Sequence, residues 1–130
     1  MEEQVLEAVR AYLSAYEKIE PNVAVRHSFV PTTNVNEDHG MIGIVHLKKM
    51  ELQQDVVKYA TDRIQRTELS ARVEILSKLA GWVVMEHDCQ SQHFTGKTKS
   101  AYLVCQDKYG VWKVATSWST VIPTLEGTGA

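Results

Sequence analysis

Near neutral pH, the chemistry of a chain rests on its imidazoles, carboxylates, thiols and phenols, and in this sequence their positions decide what each could do. His87 is the first of interest. It shares an alternating face with Val83, Met85 and Cys89, and a histidine among apolar neighbours titrates close to neutrality and can act as general acid or base. The competing reading is a histidine that is merely hydrogen-bonded, or faces solvent at a strand's end. Tyr12 and Tyr16 stand four residues apart on an apolar helical stripe. They are either core-packing aromatics or phenols that offer hydroxyls to a guest, since a buried phenol generally seeks a partner.

Other chemistries lack their motifs. His39 and His46 are too far apart for a metal pair on one helix turn, and Cys89 and Cys105 have no CxxC or Cys/His spacing, so neither zinc nor a disulfide framework is signalled. We expect no metal and no cofactor. No GxSxG, Gly-rich phosphate loop or Cys-His signature is present, which leaves covalent catalysis and nucleotide hydrolysis without support.

These groups need elements to position them. Val5, Leu6, Val9, Tyr12, Leu13 and Tyr16 recur at steps of three and four and predict an amphipathic helix over residues 2–18, ended by Pro21. A short second helix follows from an Asn22 cap to about Ser28 and is closed by Pro31. Residues 32–40 suit a strand or loop, and 41–47 a short strand. A third helix is predicted over 48–65, with Leu47, Met50, Val57 and Ile64 on its packed side. Beyond Arg66, segments rich in Val, Thr, Tyr and Trp, divided at Ala80-Gly81, residues 90–96 and residues 107–110, predict four consecutive antiparallel strands. Helices first and a meander second imply one α+β domain spanning residues 1–130.

Alternation then assigns inward faces. They are Ala71, Val73 and Ile75 on the first strand of the meander, Val83 to Cys89 on the second, and Trp112, Val114, Thr116 and Trp118 on the last. The third strand is ambiguous between Ala101, Leu103, Cys105 and Tyr102, Val104. The small residues opposite, Lys113, Ala115, Ser117 and Ser119, suit contact with another subunit.

Composition narrows the partners. The chain has 130 residues, 44% hydrophobic and 23% charged, with a formal charge of -2, and no basic run beyond Lys48-Lys49, so nucleic acid has little electrostatic footing. No apolar run approaches the roughly 20 residues that span a bilayer. The expectation is a cytoplasmic protein with neither nucleic acid nor membrane as partner.

The first helix, a short second helix before Phe29-Val30-Pro31, a third helix and the meander resemble the nuclear transport factor two-like superfamily. The segment Asp107-Lys108-Tyr109-Gly110-Val111-Trp112-Lys113-Val114 is similar to the D-x-x-G-x-W-K-I hairpin of its lumazine-binding and polyketide-cyclase-like branches. The resemblance implies a cone-shaped fold with N-terminal helices packed on a curved antiparallel sheet. It also implies a homodimer through the outer sheet face, and a cavity for a small, largely hydrophobic organic molecule. Isomerase, dehydratase or cyclase chemistry is one implication; a non-catalytic metabolite-binding or protein-interaction module is the other.

In ketosteroid isomerases of this shape, a carboxylate moves a proton while a Tyr and a protonated Asp hold the oxyanion. The general-base segment resembles Glu37-Asp38-His39-Gly40, which makes Asp38 the matching carboxylate, and the helix-one Tyr matches Tyr12 or Tyr16. The oxyanion-holding Asp falls on Tyr102, a donor but not a carboxylic acid, so the resemblance does not extend to ketosteroid isomerase activity itself. Trp118-Ser119 resembles a cavity-lining Trp-Ser and turns Tyr102 inward on the ambiguous strand. The candidates are then Asp38, His87 and Tyr12 for catalysis, with Tyr16, His27 at the pocket mouth, Tyr102, Thr116 and Trp118 for binding.

Overall fold

The computed structural model describes residues 1–122 except 39, 63 and 93, and excludes the side chains of residues 61 and 62. Helix α1 spans Glu2–Glu17, with Val5, Ala8, Val9, Tyr12, Leu13 and Tyr16 buried on one stripe, as the three-four spacing predicts. Helix α2 is Pro21–Arg26 and carries Pro21 in its first turn, where the missing N–H would have had no helical acceptor. It ends two residues sooner than expected. Strand β1 begins at once, Ser28–Asp38, and Pro31 lies inside it. The register with β6 is interrupted between Ser28 and Thr33, so a residue without a donor costs no ladder bond there.

Strand β2 is Met41–Leu47, helix α3 is Lys49–Asp62, and the meander is β3 (Gln65–Ser77), β4 (Ala80–Gln90), β5 (Thr95–Gln106) and β6 (Trp112–Val121). The sheet order is β2-β1-β6-β5-β4-β3. Every neighbouring pair is antiparallel except β1 with β6, which run parallel. The fold is therefore α+β, with N-terminal helices packed on one face of a six-stranded, mostly antiparallel sheet.

On α3 the expected face is corrected. Met50 and Val57 are 68% and 52% exposed, while Leu52 and Val56 are fully buried. The packed stripe is Leu52, Asp55, Val56 and Tyr59, at the i, i+3, i+4, i+7 spacing of one helix face, and it carries a carboxylate in the middle.

Two β-bulges decide what the sheet presents to the helices. In β3 the register shifts between Glu68 and Ser70. Ala71, Val73 and Ile75 keep the helix-facing parity, and beyond the bulge Arg66 and Glu68, instead of their odd-numbered neighbours, share it. In the β5–β6 ladder the shift lies between Leu103 and Val104. Val114 is opposite Val104, but Tyr102 is opposite Ser117 and Ser100 opposite Ser119. An extra residue flips all the side chains beyond it, so the inward face of β6 is Trp112 and Val114 followed by Ser117 and Ser119. The expectation that Thr116 and Trp118 continue the inward face, and that the serines face a subunit, fails for this reason. Tyr102 is buried on the inward face of β5, in agreement with the parity taken from the resemblance.

The Asp107 hairpin is a structural device. Its Oδ1 accepts from the backbone N–H of Tyr109 (2.8 Å) and of Val111 (3.0 Å), and Lys113 Nζ lies 3.0 Å from Oδ2. Gly110 takes a left-handed φ of 83°, which favours glycine. These bonds hold the Asp107 carboxyl below its ordinary range, the Val111 N–H first among them.

Candidate functional site

Between the C-terminal half of α1, α3 and the bulged half of the sheet lies a cavity of about 410 Å³. Tyr12, Tyr16 and Tyr102 all line it. Tyr12 and Tyr16 pack with ring centroids 5.2 Å apart and Tyr12 and Tyr102 at 6.3 Å. Tyr16 Oη donates to Asp55 Oδ2 at 2.8 Å, and Tyr12 Oη points to Tyr16 Oη at 3.5 Å. The line of hydroxyls therefore ends on a carboxylate inside the cavity. Burial pushes all three phenols above their ordinary value, so they stay protonated donors at neutral pH.

Opposite Tyr12 and Tyr16, and beside Tyr102 on the sheet, stands a polar row made by the parallel pairing of β1 with β6. Ser117 Oγ donates to Asn34 Oδ1 at 2.8 Å and Ser119 Oγ to Asn36 Oδ1 at 2.9 Å. With each amide oxygen accepting from serine, the amide nitrogens are the groups left to donate. Thr98, Ser100, Cys89 and Arg66 complete this side. The lining is thus mixed, with aromatic and aliphatic groups from Leu13, Tyr59 and Phe94 facing hydroxyls and amides. The largely hydrophobic cavity expected from the resemblance is corrected to an amphiphilic one.

Four of the expected residues are elsewhere. Asp38 is exposed at the end of β1, in the hairpin opposite Met41, and is not part of the lining; its neighbour His39 lies outside the described residues. Thr116 sits past the β6 bulge, in register with Thr33 and Leu103, on the face away from the helices. His27 caps α2, where its backbone oxygen accepts from Val114 N–H at 2.8 Å. Burial, with Arg26 and Lys113 nearby, lowers its pKa. His87 is buried on the inward face as its strand parity predicts, but it borders the cavity region without lining it. Burial first, then the charge of Arg66, lowers its pKa and favours the neutral ring. Trp118 contributes to the lining, although its register row, with Val35 and Ala101, is the one opposite Tyr102.

Asp55, Tyr59, Arg66 and the Asn–Ser pairs were missed by the sequence reading. Asp55 had a signal: a carboxylate embedded in the Leu52-Val56-Tyr59 stripe. The others had none, because a bulge or a strand pairing far along the chain places them.

No family model matches the sequence, and no curated protein matches it. Solved structures do. The chain superposes on a ketosteroid isomerase-like protein from Erwinia carotovora atroseptica with a TM-score of 0.73 at 13% identity, covering 95% of this chain and 97% of that one. A protein with a cystatin-like fold from Caulobacter vibrioides gives 0.76 at 11%, covering 93% and 89%. An NTF2-like protein from Cytophaga hutchinsonii gives 0.71 at 13%, covering 91% and 95%. At such identities the likeness carries the fold alone. What it establishes is that this chain has the NTF2-like, cystatin-like α+β fold, the architecture of proteins described as ketosteroid isomerase-like among others.

Proposed function

We propose that the chain binds a small amphiphilic organic molecule in the cavity beneath α1 and α3, and that the site supports proton transfer of the isomerase, dehydratase or cyclase type. The observation that carries this reading is the Tyr12–Tyr16–Asp55 line, a carboxylate and protonated phenols side by side in a space large enough for a guest. Asp55 takes the base role that the resemblance gave to Asp38, because it alone of the two reaches the cavity. Tyr12, Tyr102 and the amides of Asn34 and Asn36 are the donors for a carbonyl oxygen that gains charge as a proton leaves the adjacent carbon. Mass spectrometry of freshly purified protein under native conditions should show a bound adduct. With that compound in hand, Asp55→Asn should abolish deuterium exchange at its acidic carbon while leaving it bound. Undiminished exchange in Asp55→Asn would overturn the catalytic role.

The second reading, a binding module without turnover, is supported by the absence of His27 and His87 from the lining and by the engagement of Tyr16 with Asp55 inside the fold. It predicts a bound guest recovered without exchange in the unaltered protein.

A homodimer is the proposed assembly. Ile44, Val35, Trp118, Ala101 and Val84 form one register row across β2, β1, β6, β5 and β4, an apolar band on the face away from the helices. Light scattering should give twice 14.7 kDa, and Val84→Lys should return the mass of one chain. A single-chain mass for the unaltered protein would overturn the assembly.

A further inference from the structure

We infer that the guest is a monocarboxylic acid with an apolar body, anchored through its carboxylate by Arg66. This rests on the reading that the cavity holds a guest, and it names that guest's charge and class. Arg66 is the only cationic residue among the described lining residues, and its Nη1 is buried with no hydrogen-bond partner. A guanidinium N–H withdrawn from water without a partner is costly, and the cost is removed by an anion that meets it. Among the described residues, the acids nearby do not do so. Glu68 holds Arg10 through two bonds of 3.1 and 2.9 Å; Asp55 accepts from Tyr16; Glu17 reaches only the backbone N–H of Arg66, at 3.2 Å. The guanidinium lies over the ring of Tyr59, 5.8 Å from its centroid, which positions the fork without neutralising it.

Location supports the assignment. A second cavity of about 250 Å³ adjoins the first, and the two share Tyr16, Tyr59, Ile64 and Arg66. Arg66 thus stands in the wall that the two spaces share. A carboxylate held there lets the rest of a guest run into the larger space along Tyr12, Tyr102 and Phe94. One planar cation, with no lysine among the described lining residues, suits the single, bidentate charge of a carboxylate.

Calorimetry with 4-phenylbutyrate and its neutral isostere 4-phenylbutyramide tests the anchor. The unaltered protein should bind the acid at least about tenfold more tightly than the amide. Arg66→Gln should bring the acid down to the affinity of the amide while leaving the amide unchanged, and Arg66→Lys should restore part of the preference. Equal binding of the two probes by the unaltered protein, or a preference that survives Arg66→Gln, overturns the anchor and leaves a guest-binding cavity standing. Binding of neither probe overturns the cavity reading for guests of this size, and the anchor with it. Should Arg66→Gln fail to fold, the comparison of acid with amide in the unaltered protein still decides.

Discussion

One helix serves two different interiors. In its first half, α1 presents Val5 and Val9 to Val83, Met85, Val104 and Val114, and all six are fully buried in a closed apolar core. In its second half, the same stripe presents Tyr12, Leu13 and Tyr16 to a space of about 410 Å³. The helix is regular throughout, so the difference comes from the sheet. Where β4, β5 and β6 pair without interruption, alternation stacks branched side chains against the helix. Beyond the bulges in β3 and β6, the inward rows become Arg66 and Glu68 on one strand and Ser117 and Ser119 on the other. Ser117 and Ser119, which find partners across the sheet, do not fill the space under the helix as Val and Met do. The closed end is a device for stability, and the bulged end gives up packing for a site.

This contrast can be broken most forcefully at the closed end. Met85→Ala should cost about 2–5 kcal/mol, through lost burial and the void left behind, read from urea unfolding midpoints. A cost under about 1 kcal/mol would mean that this end is not tightly packed. Gly81→Ala is next, because a Cβ there would lie 2.9 Å from Val5 Cγ1. The helix or the strand must yield, at about 1–3 kcal/mol.

At the cavity end the same experiments should show little. Tyr16→Phe removes the hydrogen bond to Asp55 and should cost about 1 kcal/mol, while the affinity for a bound guest changes more than the stability does. A larger loss of stability than of binding would make the Tyr16–Asp55 pair a structural strut.

The histidines sharpen the comparison through pH. Burial holds His27 and His87 below their ordinary 6.5 in the folded chain, so the unfolded chain binds protons first as pH falls. Stability should be full above about pH 6.5 and decline as the pH drops through the folded values. The slope should flatten in His87→Asn, measured by urea unfolding at stepped pH. The smallest effect belongs to the Arg10–Glu68 pair, 44% and 33% exposed. Removing Arg10 should cost under about 1 kcal/mol, less still in high salt.

Much of the closed end was readable from residues alone. The stripe on α1, the strand boundary at the Asp107 turn, the inward parity of Val83 to Cys89 and the α+β class all follow from local periodicity and turn chemistry, whereas the division expected at Ala80-Gly81 falls at residues 78–79 and leaves both residues in β4. The candidate site was readable only in part. Helical spacing placed Tyr12 and Tyr16 on the inward side, and only the resemblance, not alternation, turned Tyr102 inward. Thr116 was misplaced, and Trp118 reaches the lining as expected but from another register row, because one residue inserted into a ladder leaves no mark in a sequence that still alternates. Asp38 was carried over by likeness of motif, and motif does not say how far a hairpin tip reaches from the cavity.

The sequence by itself determined the succession of helices and meander strands and the apolar sides of α1 and β4, since these depend on neighbours a few residues away. Tertiary structure alone decided that Asp55, Arg66 and the Asn–Ser pairs meet Tyr12 and Tyr16 around one space. The pairing of β1 with β6 joins residues 83 positions apart, and the register of the bulged ladders depends on the whole sheet closing over its core. No local signal encodes that balance.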